Sequence, residues 1–191
     1  MTKKLLAVTV TTSVAAAMII ATSARAGGND PVARGRYLVT VGGCNDCHTP
    51  LRMGPNGPER DASRLLSGHP EGLQMPPAPA LPPGPWAFAG SGTMTAWAGP
   101  WGVSFTANLT PEQETGLGRW TERDFVDTMR TGRHQGRGRA LLPPMPVENV
   151  AAINDADLSA MFAYLRSIPA IRNAVPAPIP PPVVAAGAAR P

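Results

Sequence analysis

Cysteine is almost absent from this chain. Its 191 residues hold two, Cys44 and Cys47, which excludes a disulfide framework and a four-cysteine zinc site. Lysine occurs only as Lys3 and Lys4, and histidine only at 48, 69 and 134. Aromatic residues make up 5% and charged residues 16% of the whole. Past residue 26 no apolar run reaches the ~18 residues of a membrane helix. The same region has no run of alternating β-branched residues, so nothing in it predicts the sheet of a βαβ redox domain.

The first 26 residues read as a cleaved secretory signal. Lys3 and Lys4 are basic, Leu5 to Thr22 is apolar or small, and Ala24-Arg25-Ala26 is an A-x-A cleavage site. The expected mature chain, 27–191, is exported to the periplasm. Removing Lys3, Lys4 and Arg25 leaves 14 arginines against 13 acidic residues. That balance gives no support for a nucleic-acid or anionic-membrane partner. The 23 prolines and 20 glycines lie mostly between a few helical stretches, so the chain's own core is small for its length.

The two cysteines stand in Gly42-Gly43-Cys44-Asn45-Asp46-Cys47-His48. A redox pair lacks its βαβ frame, a zinc site lacks a second ligand pair, and a disulfide across so short a loop gains little. C-x-x-C-H is instead the attachment signature of c-type haem. Cys44 and Cys47 would add to the two vinyl groups, and His48 would face the iron. Attachment outside the cytoplasm agrees with the export signal. One covalent haem c per chain also supplies the apolar area that a Pro- and Gly-rich chain lacks.

Three helices are predicted. Asp30-Pro31 reads as N-cap and first helical position of a helix that delivers Cys44. Thr121 and Asp124 have capping-box spacing, and Gly132 closes that helix. Asn154 or Asp155 caps a last helix with Leu158, Met161, Phe162 and Leu165 on one face. Residues 49–106 show no sustained period and read as a long loop draped over the cofactor, with 71–97 its Pro-rich part. The tail 173–191 is Pro/Ala-rich and reads as extended or disordered.

A second axial ligand decides between electron transfer and ligand chemistry. Met129 and Met161 fall on apolar helical stripes, and Met53 is too close to His48 to cross to the other face. Met145, in Leu142-Pro143-Pro144-Met145-Pro146, is held by stiff flanking prolines and is the preferred distal ligand. Met75, Met94 and His134 remain rivals, and His69 reads as a turn residue.

These features together resemble a class I cytochrome c. The runs NLTPEQETGLGRWTERDFVDTMRTGRH, LPPMP and DADLSAMFAYLRSIP are similar to the cytochrome domains that accompany bacterial membrane-bound alcohol, aldehyde and gluconate-type dehydrogenases. The resemblance implies an all-α fold over 27–172, with few helices around one haem and a long loop insertion. It implies thioether links at Cys44 and Cys47, proximal His48 and distal Met145, and a close helix crossing at Gly35 against Tyr164. It also implies a periplasmic one-electron carrier rather than an enzyme, placed in a respiratory chain between a dehydrogenase donor and an oxidase or cytochrome acceptor. A haem-based ligand sensor or haem enzyme, with an open or displaceable sixth site, is the alternative. Subunits of this kind commonly carry several haem motifs, whereas this chain has one.

Local carbonyls at Pro55 and Pro58 are the expected acceptors for the outer N–H of His48. Trp101, Asn108, Trp120 and Arg133 are the expected donors to the haem propionates. Arg130, Arg133, Arg137 and Arg139 precede Met145 and read either as a solvated basic turn or as a surface that steers an acidic partner.

Overall fold

The computed structural model describes residues 30–81 and 84–182. The signal segment lies outside them, as does the end of the tail. Helix α1 (Pro31–Val41) opens where the Asp30 carboxylate accepts a hydrogen bond from Val32 N at 2.9 Å, with Pro31 supplying a preset φ. It ends at Gly42. Gly43, at φ 69°, turns the chain into a single helical turn, α2 (Cys44–His48).

Helix α3 (Glu122–Thr131) has the full reciprocal capping box of Thr121 and Asp124 and closes on Gly132 at φ 63°. After a short helix α4 (Val147–Ala151), α5 (Asp155–Ser167) starts at Asn154, whose side chain accepts from Asp157 N. Leu158, Met161, Phe162 and Leu165 of α5 are buried with Val39, Leu66, Leu117, Phe125 and Met129 in one core. That placement accounts for Met129 and Met161 as packing residues.

Helix α1 crosses α5 at close backbone approach. A Cβ on Gly35 would lie 1.9 Å from Ala160 O and 2.8 Å from Tyr164 Cβ. Beside it, Arg34 grips Asp157 with two parallel bonds of 2.9 and 3.0 Å.

The all-α expectation is overturned by two small antiparallel sheets. The first pairs β1 (Leu51–Gly54) with β2 (Gly57–Arg60). The second orders β3 (Ala89–Gly90), β4 (Ala96–Gly99) and β5 (Gly102–Phe105) as a meander. The turns were written in the chain as Gly54-Pro55-Asn56-Gly57 and Gly99-Pro100-Trp101-Gly102, with Gly57 and Gly102 at φ 113° and 92°. What hid the strands was their length. None exceeds four residues, and β4 begins with two consecutive buried residues, so no alternation could be read.

Beyond α5 the described residues, 168–182, run without helix across the other elements. Asn173 is fully buried, and Ile179 pairs with Val103 of β5 through bonds of 2.8 and 2.9 Å.

Candidate functional site

Gly43 and the end of α1 place Cys44, Cys47 and His48 in one helical turn, all three half-buried. The cysteines are not joined to each other. Burial pushes the Cys44 thiol up to about 11, and burial followed by the nearby Asp46 carboxylate raises Cys47 as well. Reactive redox cysteines need the opposite, a depressed pKa in an electropositive setting. Among the described residues no three His, Cys, Asp or Glu side chains converge as metal ligands.

The His48 ring is fixed by a contact far away in sequence. Nδ1 lies 2.8 Å from Ala107 O, 59 residues on, rather than near Pro55 or Pro58. A carbonyl only accepts, so Nδ1 carries a proton, and in the neutral ring Nε2 keeps its lone pair. Burial holds the ring below the ordinary imidazole range, which favours this neutral tautomer. A neutral imidazole with its outer N–H donated to a carbonyl is the state in which histidine ligates a metal.

Met145 sits in the turn before α4, half-buried against the core cluster. Its turn is tied to the second sheet: Ser104 Oγ donates to Pro143 O at 2.6 Å. The rival ligands are placed differently. Met53 is 75% exposed, Met75 is exposed beside it in an apolar groove, and Met94 occupies a turn at φ 58°. His134 is exposed, its ring edge-on to Trp120 with centroids 4.9 Å apart. His69 is fully buried, with Nδ1 2.9 Å from Thr95 Oγ1.

Three of the four expected propionate donors are otherwise engaged. Asn108 Nδ2 donates to Ile171 O and Thr115 Oγ1, Trp101 Nε1 to Ser104 Oγ, and Arg133 to Gly138 O. Three buried polar atoms instead lack a partner among the described residues: Trp97 Nε1, Thr106 Oγ1 and Arg64 Nε. Trp97 opposes Ser104 in the β4–β5 register, and Thr106 follows two residues after Ser104, so these side chains share one sheet face. That face meets the Pro143 carbonyl at one end, and at the other the chain continues into Ala107, the acceptor of His48. Buried orphan donors are costly unless something accepts from them, so Trp97 and Thr106 on this face fit a group that supplies acceptor oxygens, such as carboxylates.

No protein-family model matches the chain. It is 30% identical over 133 residues to the gluconate 2-dehydrogenase cytochrome c subunit of Pantoea cypripedii, a match that covers 70% of this chain and 22% of that protein. Identity to the fructose dehydrogenase cytochrome subunit of Gluconobacter japonicus is 28% over 145 residues, covering 74% and 23%. The chain is a relative of dehydrogenase cytochrome c subunits. A shorter match, 42% over 78 residues, joins this cytochrome c relative to a nicotinate dehydrogenase component of Pseudomonas putida, at 41% of the chain and 6% of that protein. The chain thus spans less than a quarter of the length of each of these curated relatives. None of the described helices of this cytochrome c relative is long and apolar enough to cross a membrane.

Proposed function

We propose that the chain is a periplasmic one-electron carrier with a single covalent haem c, coupling a dehydrogenase to a respiratory acceptor. The observation that carries this reading is His48: the last residue of the C-x-x-C-H turn, neutral, with Nδ1–H committed to Ala107 O at 2.8 Å and Nε2 free to ligate. When bound, the haem iron supplies the one-electron couple.

Cys44 and Cys47 would hold the group through thioether links to its two vinyl groups, an addition that needs no oxidant. His48 would ligate the iron through Nε2, and Met145 would supply the second ligand, a thioether, which favours the reduced state and raises the potential. Trp97, Thr106 and Arg64, whose buried polar atoms lack a partner among the described residues, would be available to donate to the propionates.

Absorption spectra of the oxidised and reduced holoprotein, with and without carbon monoxide, test this directly. A low-spin spectrum with a sulfur-to-iron band, unchanged by carbon monoxide, is expected. A high-spin or carbon-monoxide-responsive spectrum would overturn the carrier and favour a sensor or enzyme.

The partner surface is assigned to the loop before Met145. Six of the described arginines pair with carboxylates: 34, 52, 60, 123, 130 and 172. The side chains of Arg133, Arg137 and Arg139 instead bond only to carbonyls of their own loop, leaving three charges on one exposed turn without a direct carboxylate partner among the described residues. Arg137 still helps, after the hydrogen bonds from Thr121, to hold the Asp124 carboxyl below its usual range. Arg130 is drawn away to Asp155 and Ala151 O. An anionic oxidant such as hexacyanoferrate is expected to react faster at low salt, and the triple Arg→Gln variant to slow by about tenfold and lose most of that salt dependence. Equal rates and equal salt slopes in the two proteins would remove the docking role.

A further inference from the structure

Two buried asparagines far from each other in sequence meet around the proximal histidine. Asn108 follows Ala107, the residue whose carbonyl accepts from His48, and is 3% exposed. All four of its side-chain hydrogen-bonding positions are filled. Oδ1 accepts from Thr110 N at 3.0 Å and lies 2.7 Å from Thr110 Oγ1, while Nδ2 donates to Ile171 O at 2.8 Å and Thr115 Oγ1 at 3.2 Å. The first pair closes an Asx turn that fixes the backbone just after Ala107. The second pair anchors that turn to Ile171, beyond α5, and to Thr115.

Asn173 is equally saturated and fully buried. Its Nδ2 donates to Ser67 O and His69 O at 2.6 and 2.8 Å, and its Oδ1 accepts from Arg64 Nη2 and Glu71 N at 2.8 and 2.9 Å. These four bonds fix the loop 64–71. Gly68 of that loop donates its N–H to His48 O at 2.8 Å, and its Cα packs so closely on Ala107 that a Cβ there would lie 2.6 Å from Ala107 O.

One hydroxyl joins the two asparagines. Thr115 Oγ1 accepts from Asn108 Nδ2 and from Asn173 N at 3.2 and 3.0 Å, and gives its own proton to Glu112 Oε2 at 2.6 Å. The network therefore reaches His48 twice, at the ring through Ala107 and at the main chain through Gly68.

We infer that the Asn108–Thr115–Asn173 network positions the proximal histidine, setting the strength of the His48 Nδ1–H to Ala107 bond and through it the reduction potential. This rests on the reading of His48 as the iron ligand. The physical chain is short: a well-aligned acceptor raises the basicity of a ligating imidazole, and a more basic ligand stabilises the oxidised metal. Slackening the acceptor therefore raises the potential.

The test uses the holoprotein and its Asn108→Ala, Thr115→Val and Thr115→Ser variants. Thr115→Val removes the bridging hydroxyl while keeping the side-chain shape, so it serves even where Asn108→Ala fails to fold. The reduction potential is measured by redox titration, and the His48 Nδ1–H resonance by NMR of the reduced protein. The expected result is an upward shift in potential, with a displaced or faster-exchanging ring proton, in Asn108→Ala and Thr115→Val. Thr115→Ser restores both values. Lowered thermal stability with an unmoved potential and an unmoved ring proton would overturn the inference, since a merely structural role predicts that outcome. A wild-type spectrum lacking histidine ligation would instead overturn the reading of His48, which separates the two failures.

Discussion

Replacing Gly35 with alanine is expected to destabilise the protein by at least about 3 kcal/mol, the upper part of the range for overpacking. The added Cβ would stand 1.9 Å from Ala160 O, a backbone atom of α5 that cannot rotate aside. Relief requires the helices to separate. Separation would loosen Val39 and Leu158, both fully buried, and pull apart the paired bonds from Arg34 to Asp157. Alanine's better helix propensity returns only about 1 kcal/mol. Urea unfolding of the holoprotein, read as a shift in midpoint at constant slope, measures the effect. An unshifted midpoint would mean that α1 and α5 do not cross as closely as described.

The helices were legible in the sequence because each carries its own boundary chemistry within a few residues. Asp30-Pro31, Thr121 with Asp124, Asn154 and Gly132 all act where the sequence reading put them. The turn that holds Cys44, Cys47 and His48 was legible for the same reason, since those residues form a local pattern. What was not legible depends on contacts between distant segments. The acceptor of His48 was sought at Pro55 and Pro58, close in sequence, yet the fold brings Ala107 to it. Asn108 was read as a propionate donor because a buried-looking amide has free hydrogens on paper. In the structure Thr115 and Ile171 take both.

The two sheets were missed for a related reason. Period-2 alternation needs length and one wet face to be visible, and β4 has neither. Missing the register also hid Trp97, because only the pairing with Ser104 shows that its ring shares a face with Thr106. Asn173 shows the limit of composition. It opens a Pro/Ala-rich stretch, yet it is fully buried and makes four side-chain bonds to the loop that supports His48.

Met145→Ala is expected to give the largest spectroscopic change of any single substitution outside the attachment turn. Its turn is held on both sides of the methionine. Ser104 Oγ binds Pro143 O, Leu141 N binds Gly132 O, and Val147 N binds Met145 O at 2.9 Å. A side chain on so restrained a backbone loses little entropy when it ligates. Removing the thioether leaves those restraints in place, so the site opens without the loop unfolding. The variant should lose the sulfur-to-iron band, turn high-spin, bind carbon monoxide, and show a lower potential, because the thioether no longer favours the reduced state. Met75→Ala and Met94→Ala are the matched controls and should leave the spectrum unchanged. A band that survives in Met145→Ala and vanishes in Met94→Ala would move the distal ligand to the turn before β4.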